Sequence, residues 1–249
     1  MAVLKGINTR APKELDKQET KKQTEEVKAK LDELQNLLYA EGKHSVLIVM
    51  QGMDASGKDG AIKNVFGGLN PQGIAVQSFK SPTAEELAHD FLWRINRHTP
   101  AKGMIQVFNR SHYEDVLITR VHGWCNNETA EKRFKAINHF EKLLQEHSNT
   151  IILKFYLHLS PLEQKERLTE RVENPAKRWK YNAQDFEEAK LWDKYMEMYE
   201  DVFEKCNDPE WTIVPADQNW YKEFIIAKKL ADTLERLNMK FPEPEETLP

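Results

Sequence analysis

The sequence predicts an α/β protein with a three-layer α/β/α architecture, in which helices cover both faces of a parallel five-stranded sheet. Short apolar runs alternate with segments of helical character along the chain, a pattern typical of parallel sheets. The first apolar run leads directly into a loop containing glycine and lysine, and Ser/Thr-x-x-Glu patterns mark several helix starts. We expect one domain over residues 1–249, a length that supports a full core.

The composition restricts the classes of protein to which the chain can belong. With 40% hydrophobic and 31% charged residues it fits a soluble globular protein, and its net charge of −4 argues against general nucleic-acid binding. No apolar run is long enough to cross a membrane and no signal peptide is evident, so we expect a cytoplasmic protein without membrane contact. Cys125 and Cys206 are too far apart to indicate a disulfide framework or a zinc site.

The N-terminal region precedes the first strand. Leucine and valine recur at near-helical spacing among charged residues over 12–41, which predicts an amphipathic helix that ends at Gly42. Such a helix either pairs with another copy of the chain or packs on its own sheet. We expect residues 1–10 to be loosely ordered and the first strand to span 45–51.

The remaining elements follow in alternation. Further strands are predicted at 74–79, 104–108, 151–157 and 211–214. Capping boxes are predicted at Thr83 with Glu86, Ser111 with Glu114, and Ser160 with Glu163, the last followed by Pro161. The segment 83–98 is predicted to be helical, with a core face formed by Leu87, Phe91, Leu92 and Ile95.

The first strand ends in a loop with P-loop spacing. Glycines allow successive backbone N–H groups to turn toward one anion, the following helix adds its positive end, and Lys58 supplies a mobile charge. An incidental turn is the alternative interpretation, but the flanking strand and helix favour phosphate binding. Lys58 is therefore a candidate catalytic residue. The candidate substrate-binding residues of the loop are Gly52, Ala55, Ser56, Gly57, Asp59 and Gly60.

An aspartate takes the place of the usual hydroxyl residue after the loop lysine. Asp59 stands where Ser or Thr normally helps to hold magnesium, so the metal must be held in another way. Asp54 is the candidate magnesium ligand. A carboxylate inside a phosphate-binding loop repels the bound phosphate unless a cation lies between the two. Turn formation is the alternative role for both aspartates.

A second polar cluster, Asn109 to Asp115, follows the third strand. Arg110 is a candidate phosphate clamp and Asp115 a candidate second magnesium ligand, while Asn109 and Glu114 are candidate substrate-binding residues. A surface ion pair between Arg110 and Glu114, and a capping role for Glu114, are the alternatives. We expect His112 to have a packing or hydrogen-bonding role.

A cationic stretch predicts a helical lid over residues 165–195. Closure of a lid excludes water and brings positive charge to the transferred group, although a solvated charge run is the alternative. Arg178 is a candidate catalytic residue. Further candidate substrate-binding cations are Arg94, Arg120, Arg171, Lys177 and Lys180.

Three ordered motifs together resemble the polyphosphate kinase 2 family. They are Gly-Met-Asp-Ala-Ser-Gly-Lys-Asp-Gly at 52–60, Asn-Arg-Ser-His-Tyr-Glu-Asp at 109–115 and Asn-Pro-Ala-Lys-Arg-Trp-Lys at 174–180. The resemblance implies a P-loop kinase-like fold and Mg²⁺-dependent transfer of phosphate, in either direction, between inorganic polyphosphate and nucleotides. It further implies that Mn²⁺ can substitute and that the chain forms a homodimer or homotetramer.

Two positions depart from many relatives that act on nucleoside diphosphates. Those relatives have Asp where Asn109 stands and Asn where Glu114 stands, so the chain resembles the class III subgroup, which phosphorylates both monophosphates and diphosphates. The expected substrates are therefore polyphosphate with AMP, ADP and ATP, and guanine nucleotides in addition. The alternatives are an ATP-dependent nucleotide or small-molecule kinase, and a nucleotide-binding regulatory protein without catalysis.

Overall fold

Five parallel strands form the sheet of the computed structural model, which describes residues 4–243. They are β1 (Ser45–Gln51), β2 (Ile74–Ser78), β3 (Ile105–Asn109), β4 (Thr150–His158) and β5 (Trp211–Pro215). Their order across the sheet is β2-β3-β1-β4-β5, with every neighbouring pair parallel. This confirms the predicted five-stranded α/β fold and places all carboxyl ends of the strands at one edge.

Helices cover both faces of the sheet. They are α1 (Lys17–Glu41), α2 (Lys58–Phe66), α3 (Ala84–Leu87), α4 (Trp93–Asn96), α5 (Ile118–Val121), α6 (Asn127–Ser148), α7 (Pro161–Glu173), α8 (Ala183–Ala189), α9 (Trp192–Lys205) and α10 (Asn219–Glu235). The side chains of the central strand β1 alternate between the two layers: Val46 and Ile48 join the core with α1, α2 and α10, while Leu47 and Val49 join the core with α6 and α9. Within the described range, no helix combines the length and apolar character needed to span a bilayer.

The long N-terminal helix begins later than predicted. The side chain of Asp16 accepts hydrogen bonds from the backbone of Gln18 and Glu19, so α1 starts at Lys17 rather than near residue 12. Gly42 ends the helix in the left-handed conformation, with φ 63°, as predicted. Because its apolar stripe packs against α10 and the sheet, α1 is part of the core of this chain.

The described N-terminal residues make specific contacts, contrary to the expectation of loose order. Leu4 donates its backbone N–H to Oε1 of Glu200 at 2.6 Å, and the Thr9 hydroxyl lies 2.8 Å from Oδ2 of Asp217. The segment after residue 4 is therefore fastened to α9 and to the start of α10.

The predicted helix caps are confirmed to different extents. Both halves of the box at Thr83 and Glu86 are present. Ser160 caps α7 through the backbone N–H of Glu163, but the carboxylate of Glu163 instead accepts from Arg167 at 2.8 Å. The box at Ser160 and Glu163 is therefore only half formed.

The segment after β2 differs from the single amphipathic helix predicted for it. It forms two short helices, α3 and α4. Leu87 is the last residue of α3, and its side chain is 70% exposed instead of joining the core. Ile95 is buried as predicted, and Phe91 and Leu92 are partly buried against the core.

Candidate active site

The loop between β1 and α2 has a backbone that depends on glycine at two positions. Gly52 has φ 150°, and a Cβ there would lie 3.0 Å from the carbonyl oxygen of Leu157. Gly57 has φ 89°, and a Cβ there would overlap the Lys222 ammonium. The loop leads straight into the N-terminus of α2, whose first amides and positive dipole end form an anion-binding cradle.

Lys58, the first residue of α2, is buried beneath this loop. Its Nζ donates to the carbonyl oxygens of Gly52 at 2.7 Å and Met53 at 3.2 Å. Burial, together with the positive charge of Arg110, lowers the pKa of Lys58 to about 8. The ammonium therefore lies inside the loop with its charge only partly compensated, which suits binding to a phosphate.

Two further cations, neither of them among the predicted site residues, support the loop. Arg167 donates through Nη1 to the carbonyl oxygens of Ala55 and Ser56, at 3.1 and 3.2 Å. Lys222 donates through Nζ to Ser56 O at 3.1 Å and to Oδ1 of Asn219 at 2.9 Å. Burial, with the charge of Arg167 adding to it, lowers the pKa of Lys222 to about 7.

One sequence signal pointed to Lys222. It lies four residues before Ile226, on the buried stripe of α10 that continues through Leu230 and Leu234. A lysine at a core position of an amphipathic helix requires a buried partner, and here the partner is the loop.

The end of β3 brings the second motif against the loop. Arg110, in the left-handed region with φ 61°, places Nη2 at 2.5 Å from Oδ1 of Asp54. Burial alone would lower the pKa of Arg110, but the carboxylates of Glu114 and Asp54 outweigh it, so the pKa lies above its ordinary value. Asn109 donates from Nδ2 to Oδ1 of Asp59 at 2.7 Å. The first two motifs thus meet through two side-chain pairs.

The capping box predicted at Ser111 and Glu114 is wrong. The Ser111 hydroxyl accepts from the backbone of Tyr113, one residue too early, because residues 112–116 form a short 3₁₀ turn instead of an α-helix. The carboxylate of Glu114 binds Gln51 instead. With the Gln51 side-chain amide oriented so that its oxygen accepts from Ser111, its nitrogen donates to Oε1 of Glu114 at 3.0 Å. Glu114 is therefore held beside Arg110, at the carboxyl edge of the sheet.

Asp115 lies among arginines. Its carboxylate oxygens are 3.8 Å from Nη2 of Arg94 and 4.0 Å from Nη1 of Arg133. Burial raises its pKa against the opposing effect of both cations. Asp54 and Asp115 share no ion-pair partner in the described structure, because Asp54 pairs with Arg110.

Arg120 and Arg94 are placed apart from the loop. Arg120 donates from Nη2 to Oδ2 of Asp201 at 2.7 Å, and Arg94 donates from Nη1 to the backbone of Lys80 at 2.8 Å. Neither lines the cavity described next.

A cavity of about 560 Å³ separates the loop from the predicted lid segment, residues 165–195. The predicted residues that line it are Asp54, Ala55, Ser56, Gly57, Lys58, Asp59, Gly60, Arg171, Lys177 and Lys180. Lys180 lies 3.8 Å from Oδ2 of Asp59 and so joins the lid segment to the loop. Arg178 is outside the lining, with Nε donating to the backbone of Val172 at 3.1 Å.

The lid segment is itself held by ion pairs. Lys177 pairs with Glu170 at 2.6 Å, and Arg171 pairs with Asp185 of α8 at 2.6 Å. Both cations nevertheless line the cavity, so they face the phosphate loop across it.

A buried lysine in a strand–loop–helix anion cradle, facing cations across a cavity, defines a phosphotransferase of the P-loop kinase class. The family model described as Polyphosphate kinase 2 matches residues 14–242, and the chain belongs to this family.

Relatives and a solved structure agree with this assignment. The AMP/ADP-polyphosphate phosphotransferase of Meiothermus ruber is 48% identical over 218 residues, which cover 87% of this chain and 81% of that protein. The ADP-polyphosphate phosphotransferase of Rhodopseudomonas palustris is 45% identical, with 86% and 78% covered. The crystal structure of polyphosphate kinase 2 from Arthrobacter aurescens has a TM-score of 0.93 and 40% identity, and covers 98% of this chain and 89% of that one.

Proposed function

We propose that this protein transfers phosphate from inorganic polyphosphate to AMP and ADP, and also to guanine nucleotides, in a reversible reaction. The main support is the placement of Lys58 inside the loop, across the cavity from Lys177 and Lys180. This arrangement suits a substrate made of linked phosphates, since lysines lie on both sides of the cavity. Relatives named for AMP and ADP with polyphosphate support the choice of donor and acceptors.

The reaction is an in-line transfer that relies on positioning and electrostatics. Lys58 and the loop amides bind the terminal units of the donor. Arg110 contacts the transferred phosphate at the carboxyl edge of the sheet, and Lys177, Arg178 and Lys180 offset the charge that develops when the lid segment closes.

Magnesium, with manganese as a substitute, fits the residues at this edge. Mg²⁺ is usually held by one or two carboxylates with substrate phosphates and water completing its shell, so a cage of three or more protein ligands is not required. Asp54 would hold the ion at the loop, where its side chain is 24% exposed and lines the cavity. Asp115 is the second candidate, because its buried Oδ2 has no hydrogen-bond partner in the described structure. Bound metal would supply charge neutralisation between donor and acceptor oxygens.

The choice of acceptor depends on Asn109 and Glu114. A neutral Asn109 beside Asp59 adds no further negative charge, which spares a doubly charged AMP phosphate some repulsion. Glu114, which accepts from Gln51 next to Arg110, would hold a metal ion or water for the shorter acceptor. We further infer a cytoplasmic homodimer or homotetramer, on the basis of the family.

The test is to mix the purified protein with AMP or ADP, Mg²⁺ and polyphosphate, without ATP, and to follow ATP formation. We expect ATP from both acceptors and none from Lys58→Ala. An ATP-dependent kinase would form no ATP under these conditions, and neither would a regulatory protein. Either outcome overturns the proposal.

A further inference from the structure

A second cavity, of about 880 Å³, opens beside the loop cavity. The two share Asn64, Asn219 and Glu223 in their linings, so they are continuous around the start of α10. We call this second cavity the basic groove. Its lining includes Arg10, Lys13, Lys17, Lys21, Gln218 and Trp220.

The cations of the basic groove are brought together by the fastened N-terminal segment. The backbone N–H of Ala11 donates to Oε1 of Gln218 at 2.9 Å, and Arg10 lies 3.9 Å from Oδ2 of Asp217. These contacts hold residues 10–13 against the start of α10. Lys17 and Lys21 are one turn apart on α1 and so project from the same side of that helix.

The charge of the basic groove is largely uncompensated. Within the described residues, Lys13, Lys17 and Lys21 form no ion pair, although ion pairs are frequent elsewhere on the surface. The carboxylate in the lining is that of Glu223, and it accepts a hydrogen bond from Asn64 at 2.7 Å. Positive charge is therefore concentrated at the basic groove, although the net charge of the chain is −4.

The N-terminus of α10 adds to this field. This 17-residue helix has no acidic residue in its first turn, and its N-cap residue, Gln218, makes no side-chain capping bond. The backbone N–H groups of Asn219 and Trp220 have no partner among the described residues, whereas that of Tyr221 donates to the carbonyl oxygen of Gln218. The first two N–H groups and the positive dipole end of α10 are thus available to an anion in the groove.

We propose that the basic groove binds the part of a linear polyphosphate chain that extends beyond the loop cavity. This inference rests on the proposed function. A long donor has one negative charge on each internal phosphate and must leave the loop cavity on some side. The shared lining at Asn64 and Asn219 provides a continuous path along which the charge of the polymer meets Arg10 and the three lysines.

The groove therefore increases the affinity for long donors and does not change the rate of phosphate transfer. A short donor such as tripolyphosphate is bound by the loop and the lid segment alone. A long chain gains additional contacts, and binding of a polyanion to several cations has a steep dependence on salt.

The experiment compares wild type with the triple variant Lys13→Glu/Lys17→Glu/Lys21→Glu, using AMP, Mg²⁺ and either long-chain polyphosphate or tripolyphosphate. We expect KM for the long chain to rise about tenfold or more, because three charge contacts become repulsive, with kcat unchanged. Kinetics with tripolyphosphate should not change. The salt dependence of the long-chain KM should become shallower in the variant.

The matched control is Lys132→Glu/Lys135→Glu/Lys142→Glu, which changes net charge equally on the exposed side of α6. The proposal is overturned if both triple variants raise the long-chain KM to the same extent, or if the groove variant affects both donors equally. If wild type forms ATP from neither donor, the proposed function fails. The groove is then judged by calorimetric binding of long-chain polyphosphate, where equal affinities of wild type and the groove variant would overturn it.

Discussion

Oδ1 of Asp54 and Nη2 of Arg110 lie 2.5 Å apart, although 56 residues separate them in the chain. This ion pair joins the phosphate loop after β1 to the motif after β3, and it places a carboxylate in the lining of the same cavity as Lys58. A carboxylate at that position opposes phosphate binding unless a divalent cation is present. The proposal of a magnesium site therefore depends most on Asp54.

Asp54→Asn tests that hypothesis. We expect a loss of about 10²–10³ in kcat, the scale of removing one preorganised electrostatic group, because the amide cannot hold the metal. Steady-state rates of ATP formation over a range of Mg²⁺ concentrations provide the measurement. Thermal unfolding serves as the control for folding, and a rate close to that of wild type would remove Asp54 from the metal site.

Glu114→Asn tests the choice of acceptor. We expect kcat/KM for AMP to fall by about tenfold more than kcat/KM for ADP, since the shorter acceptor needs the bridging metal or water. The two acceptors are compared with the same polyphosphate donor. Equal losses would show that Glu114 only orients Gln51 and Arg110.

Lys222 makes stability depend on pH in a defined direction. Its pKa is about 7 in the folded protein against an ordinary value of 10.5, so the folded state binds this proton less strongly than the unfolded state. The cost of burying the charge is fully present below pH 7 and is relieved as pH rises through 7 toward 10.5. Over that window the free energy of unfolding should rise by about 1.4 kcal/mol per pH unit.

The measurement is urea unfolding of wild type and Lys222→Met between pH 6.5 and 9. The difference between them isolates Lys222, because the titration of Lys58 is common to both proteins. The free energy of unfolding of wild type should increase relative to that of Lys222→Met as pH rises. Parallel curves would show that Lys222 does not titrate in this range.

A buried ion pair between Lys154 and Glu141 contacts the second motif, residues 109–115. Glu141 of α6 accepts from Nζ of Lys154 at 2.8 Å and from the Tyr113 hydroxyl at 2.7 Å, and His112 Nε2 lies 3.2 Å from the same carboxylate. Both charged side chains are fully buried. This confirms that His112 packs and hydrogen-bonds, and it fixes the turn that carries Glu114.

Lys154→Met should destabilise the fold by about 3–5 kcal/mol, because the carboxylate of Glu141 is left buried without its cation. Urea unfolding at constant pH measures the effect. The double variant Lys154→Met/Glu141→Gln should lose less than the sum of the two single variants. A loss below about 1 kcal/mol for the single variant would show that His112 and Tyr113 compensate the charge alone.

Features set by neighbouring residues could be predicted from the sequence. The spacing of Gly52, Gly57 and Lys58 specifies a loop whose geometry is local. The alternation of apolar runs with helices predicts that the sheet is parallel, which it is, but it does not determine the order of the strands. The capping box at Ser111 did not form despite a matching pattern, because residues 112–116 form a 3₁₀ turn and the Glu114 carboxylate accepts from Gln51, which is distant in the chain.

The partners of residues that are distant in the chain could not be predicted. Arg167 and Lys222 reach the loop from α7 and α10, more than 100 residues away, and nothing in the local sequence identifies the carbonyl oxygens that they bind. Leu87 has helical spacing with Phe91, yet it is exposed because the chain forms two short helices there. Periodicity indicates which face is apolar only where the helix continues.

The most direct test of the account is a crystal structure of the protein soaked with polyphosphate and Mn²⁺, whose anomalous signal locates the metal. We predict a phosphate chain against the loop amides and Lys58, and a metal ion bound by the carboxylate of Asp54. A loop without phosphate density, with Asp54 still paired to Arg110 and no metal beside it, would contradict the account.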